Sequence, residues 1–212
     1  MSSLFIRRRG LSRLAAGAAA VALTGSGLVA VMSGPAAAGQ DPAAQLVQRT
    51  ADQVIEVAKT TTGGARESGM MRVLRTGFDL DYMGRSTLDT HWNQATPEQR
   101  QRFLNVVASA EARSYSQRFG QYAGQKLTVS RVNSRGNGVS LVESKLDQSN
   151  GEPVAIQWEV HNDGGQGPRI VDVKVEGVSM LLTRRSEYNS YIRNHGGQVE
   201  PLITELEARA KR

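Results

Sequence analysis

The segment DVKVEGVSMLLTRRSEY, Asp172–Tyr188, decides the fold class of this chain. Val173 and Val175 alternate with polar residues as far as Gly177, which is the period-two pattern of a half-buried strand. Apolar residues then recur at helical spacing from Val178 onwards. The segment therefore predicts a strand joined almost directly to a helix, with both elements covering one apolar interior. No sequence pattern typical of a catalytic site lies in it.

Three further stretches upstream show the same period-two alternation, and short connections rich in glycine and asparagine separate them. The predicted strands are residues 126–131, 139–146, 154–160 and 170–176. Consecutive strands with short connections favour an antiparallel meander.

The two clearest strands each place their apolar side chains on one face. In the third strand this face consists of Val154, Ile156, Trp158 and Val160. In the fourth strand it consists of Val171, Val173 and Val175. Asp172 and Glu176 fall on the opposite face and are expected to be solvated carboxylates. The sheet is thus predicted to have one apolar face and one polar face.

Helical patterns precede and follow the strands. Asp41-Pro42 is typical of a helix start, and Thr96-Pro97-Glu98-Gln99 is a capping box with proline at the first helical position. The predicted helices are residues 42–59, a helix ending near 77, short pieces within 79–92, 97–119, 178–194 and 199–210. The fold class is therefore α+β, with an antiparallel four-stranded curved sheet packed on several helices. Such a sheet encloses either a filled core or an apolar cavity, and periodicity does not distinguish the two.

The first 38 residues have the pattern of an export signal. Four arginines within residues 7–13 precede a weakly apolar stretch, residues 14–31, and the small residues Ala36 and Ala38 mark a cleavage site. The Arg8-Arg9 pair favours the twin-arginine route, with the general secretory route as the alternative. The mature chain is predicted to begin at Gly39, to form a single domain over residues 39–212 and to lie in the periplasm.

Cleavage at this site would change the charge balance. The full chain has 26 basic and 20 acidic residues, a net charge of +6, but four of the arginines lie in the signal. The mature chain then has 22 basic residues against 20 acidic ones, which argues against a nucleic-acid partner. The chain has no cysteine, so disulfides, thiol catalysis and cysteine-ligated metals are excluded.

No residue cluster indicates a metal, a cofactor or a catalytic centre. The three histidines, His91, His161 and His195, are far apart in the sequence and lack metal-ligand spacing. No nucleophile-elbow, zinc-protease or phosphate-loop motif occurs. We therefore expect no cofactor and no metal, and a protein that is not an enzyme.

Several motifs together resemble the MlaC family, the periplasmic phospholipid-binding proteins also called the toluene-tolerance or ABC-transporter auxiliary group. They are Asp79–Met83 after a phenylalanine, Trp92–Phe103 with its Ala-Thr-x-Glu-Gln-Arg core, Asp172–Tyr188, His195-Gly196-Gly197 and Leu202-Ile203-x-x-Leu206. The resemblance covers residues 41–206. Val171 and Arg184 stand where this family commonly has an aromatic residue.

The resemblance implies an NTF2-like cone with a lipid in its cavity. The implied protein carries a diacyl phospholipid between an outer-membrane lipoprotein–porin complex and an inner-membrane ABC transporter, and maintains outer-membrane lipid asymmetry. Facing and family position together place the following residues around the lipid tails: Met70, Leu74, Phe78, Phe103, Val107, Ile156, Trp158, Val173, Val175, Val178 and Leu182. Arg185 is the candidate contact for the headgroup or for a partner at the mouth. The absence of a long exposed apolar stripe favours a monomer.

Three alternatives stay open from the sequence. One is a hopanoid-associated carrier of the same family, and another is an exported scaffold with a filled interior. The third is an NTF2-like enzyme acting on an apolar small molecule, which would need an ionisable side chain inside the cavity. The residues to check for that side chain are Tyr115, Tyr122, Glu143 and Tyr188.

Overall fold

The computed structural model describes residues 40–118, 124–148, 151–162, 165 and 167–211. The predicted export signal and its cleavage site at Gly39 lie outside the described residues. Seven helices and five strands occur in the described part of the chain. The helices are α1 (Pro42–Thr60), α2 (Gly63–Gly77), α3 (Leu80–Leu88), α4 (His91–Gln94), α5 (Pro97–Arg118), α6 (Met180–Asn194) and α7 (Glu200–Lys211). The strands are β1 (Leu127–Gly136), β2 (Val139–Leu146), β3 (Val154–His161), β4 (Arg169–Val175) and β5 (Val178–Ser179).

The two helix starts predicted from capping residues are confirmed. Asp41 Oδ1 accepts a hydrogen bond from the backbone N–H of Ala43 at 2.8 Å, which satisfies an otherwise unpaired donor at the start of α1. At the start of α5, Gln99 N–H donates to Thr96 Oγ1 at 3.2 Å and Thr96 N–H donates to Gln99 Oε1 at 3.0 Å. This reciprocal pair is a capping box.

The strands form one curved, antiparallel sheet in the order β1-β2-β3-β4-β5, with one strand more than predicted. β5 folds back on β4 through a tight turn at Glu176 and Gly177, both with positive φ (48° and 79°). The helix that was predicted from Val178 therefore begins at Met180 as α6. Ser179 caps it by accepting a hydrogen bond from Leu182 N–H at 3.0 Å.

Two β-bulges change the phase of the predicted alternation. In β1, Ser130 is unpaired between two ladder positions, so Val132 rather than Arg131 joins the apolar face. In β4, Val171 is the additional residue, and Ile170 pairs with Val160 on the apolar face. The interpretation that placed Val171 on the face of Val173 and Val175 was therefore wrong, because the bulge reverses the alternation at that point.

Asp172 is also not the solvated carboxylate that was expected. Its exposed fraction is only 5 %, and Oδ1 accepts a hydrogen bond from Leu181 N–H at 3.0 Å. The cause is β5, which turns the chain back so that the first turn of α6 covers this part of the polar face. Glu176 is exposed as expected, and its carboxylate accepts a hydrogen bond from Ala155 N–H at 2.5 Å.

The buried apolar residues fall into a helical half and a sheet half. The core of the helical half joins α3, α5, α6 and α7 and consists of Leu88, Ala95, Phe103, Val106, Tyr188, Ile192, Val199, Leu202, Ile203 and Leu206. The sheet half joins α1 to the apolar face of the sheet through Ala43, Leu46, Val47, Ala51, Leu127, Val142, Trp158, Val160 and Ile170. A third cluster, Ala58, Met70, Leu74 and Ala112, packs α1, α2 and α5 together. We count it as part of the sheet half, because Phe78 packs against both clusters.

Candidate functional site

A cavity of about 490 Å³ lies between the apolar face of the sheet and helices α1, α2 and α5. Its volume is within the range of about 300–1,000 Å³ that is usual for ligand sites. The lining is almost wholly apolar and consists of Thr50, Ala51, Val54, Ile55, Met70, Val73, Leu74, Phe78, Tyr115, Arg118, Gln125, Leu127, Leu146, Gln148, Val154, Ile156, Trp158, Val173, Val175 and Met180. No carboxylate is among these residues.

The structure brings seven of the residues proposed for lipid tails to the wall of this cavity. They are Met70, Leu74, Phe78, Ile156, Trp158, Val173 and Val175. Alternation along β3 and β4 places the last four on one face, and helical spacing places Met70 and Leu74 on one side of α2. Their contact with a lipid stays a prediction.

Four other proposed residues lie elsewhere. Phe103 is fully buried in the helical core, and Val107 packs against the same core, because the first half of α5 faces α7 and α6 rather than the sheet. Val178 and Leu182 are 55 % and 59 % exposed. The two-residue strand β5 delays the start of α6, so that Met180 faces the cavity in their place.

Arg185 does not reach the cavity either. Its guanidinium lies 2.5 Å from Asp89 Oδ2, at the residue that ends α3. This ion pair joins α6 to α3 in the helical half, so the headgroup role proposed for Arg185 has no support in the geometry.

Sequence reasoning missed the contribution of α1 to the cavity wall. Thr50, Ala51, Val54 and Ile55 all line it. The helical spacing of Thr50 and Val54 is visible in the sequence and predicts a buried side of α1. It does not tell which other element that side faces, and so the cavity residues of α1 could not be distinguished from ordinary core.

The largest aromatic side chain of the wall has no unsatisfied polar atom. Trp158 Nε1–H donates to Ser144 Oγ at 2.8 Å, and Ser144 Oγ–H donates to the Ile156 carbonyl at 3.2 Å. Ser144 lies on the inward face of β2 beside the indole, and its hydroxyl is occupied in this way. The indole therefore presents an apolar surface to the cavity.

Tyr115 is the ionisable candidate that does line the cavity. Burial, followed by the negative charge of Glu111, raises the pKa of Tyr115 to about 12. A general acid or base works best with a pKa near the operating pH, whereas this shift moves the phenol further from neutrality. Tyr115 is therefore a neutral wall residue at pH 7, which disfavours an enzymatic role for it.

Two of the other ionisable residues considered for an enzymatic role, Tyr188 and Glu143, lie outside the cavity lining. Tyr188 lies in the helical core, where its ring meets Phe103 edge-to-face at 5.8 Å, and burial is the main cause that raises the pKa of Tyr188. Glu143 lies on the polar face of β2 and accepts a hydrogen bond from Asn133 Nδ2 at 2.8 Å. Tyr122 falls outside the described residues.

The polar residues of the lining are concentrated at one end. Arg118 ends α5, Gln125 precedes β1, and Gln148 follows β2. The last two are close because Asp147 N–H donates to the Lys126 carbonyl at 2.9 Å across the end of the β1–β2 ladder. Arg118 and Gln148 are exposed, and they are the exposed members of the lining. We call this end, defined by Arg118, Gln125 and Gln148, the mouth.

The MlaC protein family matches residues 48–208 of this chain. The chain belongs to the MlaC family. The matched segment contains α2 to α6, the whole sheet and every residue of the cavity lining.

Two curated relatives are moderately similar to this MlaC chain. The binding protein MlaC of the intermembrane phospholipid transport system of Haemophilus influenzae is 24 % identical over 136 residues. The toluene tolerance protein ttg2D of Pseudomonas putida is 24 % identical over 133 residues. Each alignment covers 62 % of this chain, and it spans 62 % and 61 % of the respective relative.

A solved structure supports the same fold for this MlaC chain. The phospholipid-binding protein from Ralstonia solanacearum, solved in complex with a phospholipid, superposes with a TM-score of 0.68 at 20 % identity. The match covers 79 % of this chain and 96 % of that one. At this identity the likeness establishes the fold, an α+β arrangement with a curved antiparallel sheet, and not the ligand.

The described residues provide neither a metal site nor a membrane-spanning helix. Among the described residues, no three His, Asp or Glu side chains are grouped so that they could ligate a metal ion. None of the helices in the described ranges combines the length and the apolarity that crossing a bilayer requires.

Proposed function

We propose that this protein is a periplasmic phospholipid carrier that binds the acyl tails of its cargo in the cavity between α1, α2, α5 and the sheet. The observation that carries the proposal is the apolar, carboxylate-free wall of a 490 Å³ cavity in a chain of the MlaC family. Non-directional contacts from valine, leucine, isoleucine and methionine suit acyl chains, which offer no hydrogen-bonding groups.

The chemistry of lipids makes such a carrier useful. Exposure of one methylene to water costs about 0.8 kcal/mol, so that about 30 methylenes of a diacyl lipid cost roughly 20 kcal/mol or more. Unassisted transfer between two membranes is slow for this reason. A protein that covers the tails removes most of this cost and leaves the headgroup in water.

The names of the relatives support the same role. The Haemophilus relative is named as the binding protein of an intermembrane phospholipid transport system, and the Ralstonia protein is named as a phospholipid-binding protein. In our proposal the donor and acceptor of the lipid are an outer-membrane lipoprotein–porin complex and an inner-membrane ABC transporter. The carrier thereby maintains the lipid asymmetry of the outer membrane.

The cavity wall contains side chains that can adapt to acyl tails of different length and number. Met70 and Met180 line it, and methionine is unbranched and adaptable.

The first experiment is native mass spectrometry of the chain, expressed from Met1 in a bacterial host and purified without detergent. We expect a protein that starts at Gly39 and carries one phospholipid, with lipid extraction identifying the headgroup and the number of chains. A hopanoid mass would assign the protein to a different cargo. A lipid-free protein that takes up nothing from liposomes would overturn the carrier function.

A pair of variants tests the cavity itself. Val173→Asp places a carboxylate in the apolar wall, where desolvation of the charge opposes tail binding. We expect a folded protein without bound lipid. Leu182→Asp is the matched control, since this leucine is 59 % exposed and lies outside the lining. Normal lipid content in a folded Val173→Asp protein would contradict the assignment of the cavity.

A further inference from the structure

We propose that Arg118 binds the phosphate of the lipid headgroup at the mouth and makes the cavity select phosphate-bearing lipids over neutral lipids with the same tails. This inference rests on the proposed carrier function and goes beyond it by naming the residue that recognises the headgroup. It replaces Arg185 in that role.

The position of Arg118 is the first argument. It is the last residue of α5, it lines the cavity, and its side chain is exposed to water. A phospholipid whose tails fill the apolar interior must place its headgroup where the lining meets solvent. Among the described lining residues, this condition is met by Arg118 and Gln148, with the half-buried Gln125 beside them.

The charge of the lining is the second argument. Arg118 is its only charged member in the described part of the chain, and no carboxylate of the lining opposes it. A guanidinium forms bidentate hydrogen bonds with phosphate oxygens, and the two glutamine amides are neutral donors and acceptors. The mouth therefore favours an anionic headgroup over an uncharged one.

The pairing of nearby arginines is the third argument. Arg184 on α6 binds Glu111 at 2.6 Å and Glu187 at 2.8 Å, and these hydrogen bonds hold its pKa above the usual value although burial opposes this. Arg113 on α5 pairs with Glu67 at 3.3 Å. Arg118 has no ion pair or hydrogen bond with another described residue. It is the arginine of this end of α5 that is available for a ligand.

The presence of an arginine at position 118 has an alternative explanation. Arg118 lies in the last turn of a helix, where a cation interacts favourably with the helix dipole. Arg75 provides the matched comparison. It occupies the last turn of α2, is exposed, and does not line the cavity. A substitution at Arg75 therefore reproduces the loss of the dipole interaction without a change at the mouth.

The test is a competition between two lipids with identical tails. The full-chain protein, expressed from Met1 and purified without detergent, is incubated with mixed vesicles of dioleoyl phosphatidylglycerol and dioleoylglycerol. It is then separated from the vesicles, and both lipids are quantified in the protein fraction by mass spectrometry. We expect the wild-type protein to be enriched in the phospholipid relative to the vesicles.

Substitutions at Arg118 and Arg75 test whether the charge of Arg118 causes the enrichment. Arg118→Gln is expected to lower the enrichment about fivefold at low salt, the upper range for an exposed ion pair, while uptake of dioleoylglycerol is retained. Arg118→Lys should keep part of the enrichment, and Arg75→Gln should keep all of it. Added salt should reduce the enrichment of the wild type and leave that of Arg118→Gln unchanged.

The outcomes separate this inference from the function on which it rests. If the wild type binds both lipids and Arg118→Gln shows the same enrichment and salt dependence as the wild type, the assignment of Arg118 is overturned and the carrier function stands. Uptake of neither lipid by the wild type overturns the carrier function and this inference with it.

Discussion

The helical half and the sheet half of this protein are both built from apolar residues at regular spacing, but in the described part of the chain the apolar cavity lies in the sheet half. In the helical half, Phe103 and Tyr188 meet edge-to-face and fill the space between α5 and α6. In the sheet half, α5 instead contributes the buried Ala112 next to Met70 on α2. We infer that side-chain volume at the facing positions, rather than periodicity, determines whether an apolar interior is filled or left open to a ligand.

The largest expected effect comes from truncating one buried residue in each half. Phe103→Ala should cost about 3–5 kcal/mol, because it opens a void in a filled core. Met70→Ala should cost about 2 kcal/mol, because this side chain already borders a cavity and has fewer packing contacts to lose. Both residues are at most 2 % exposed, so that the starting burial is matched. Urea unfolding of the lipid-free proteins measures the two free energies.

Equal losses in the two variants would contradict a difference in packing between the two halves. They would mean that Met70 is as closely packed as Phe103 and that the cavity is filled in solution. The urea dependence of the unfolding free energy should be the same in both variants, since neither truncation changes the surface exposed on unfolding by much.

The next effect concerns Asp172, which joins the sheet to α6. Asp172→Ala removes the acceptor of the Leu181 N–H and should cost about 1–2 kcal/mol in urea unfolding. Asp172→Asn retains an oxygen acceptor and should cost less. Thr96→Ala, at the exposed cap of α5, is the control in which water replaces the lost acceptor. If Thr96→Ala cost more than Asp172→Ala, burial would not be the source of the Asp172 contribution.

Asp172 also marks the limit of what the sequence alone reveals. The capping residues Asp41 and Thr96, the short connections between strands and the alternation of β3 are local, and each predicted an element that the structure contains. The alternation that assigned Asp172 to the polar face of the fourth strand is local too, and it predicted solvation. Its burial depends on β5, a two-residue strand too short to have a periodicity of its own.

Long-range pairing limited the prediction of the site in the same way. The bulge at Val171 follows from how β4 pairs with β3, and nothing in the alternation of β4 alone reports it. Arg184, where the family commonly has an aromatic residue, pairs with Glu111 on a helix 73 residues earlier. The proposed residues of β3 and β4 lie in the cavity wall. Those proposed on α5 and α6 lie elsewhere, because helical spacing does not tell which element each side of a helix faces.

A smaller effect is expected where helices approach each other through glycine. A Cβ atom at Gly69 would lie 2.7 Å from Cγ1 and 2.9 Å from Cγ2 of Val57, a stiff β-branched side chain in the sheet half. At Gly84, in the helical half, the nearest atom is the terminal Cδ2 of Leu104, which can rotate away. We expect Gly69→Ala to cost about 1 kcal/mol and Gly84→Ala about zero, because the gain in helix propensity then offsets the contact.

Thermal unfolding of the two glycine variants checks this difference. A larger loss for Gly84→Ala would show that the helical half, and not the contact of α1 with α2, is the less tolerant of added volume. Lipid content provides a second readout, since α1 and α2 both line the cavity and a displacement of α2 should lower it only in Gly69→Ala.

The smallest effect is electrostatic and lies on the surface of the helical half. Hydrogen bonds from Arg102 and Gln99 lower the pKa of Glu200 below its usual 4.5. A carboxylate with a lowered pKa in the folded state contributes stability above its unfolded pKa and loses it as the pH falls through the folded value. The difference in unfolding midpoint between wild type and Glu200→Gln should therefore be constant from pH 7 to about 5 and vanish at lower pH.

Added salt should shrink this difference, because the Glu200 side chain is 42 % exposed. The control is Glu56→Gln on α1, which shows the effect of deleting an exposed carboxylate alone. A difference that persisted unchanged at pH 3 would show that Glu200 acts through packing, and the helical half would then owe its stability to side-chain volume on its surface as well as in its core.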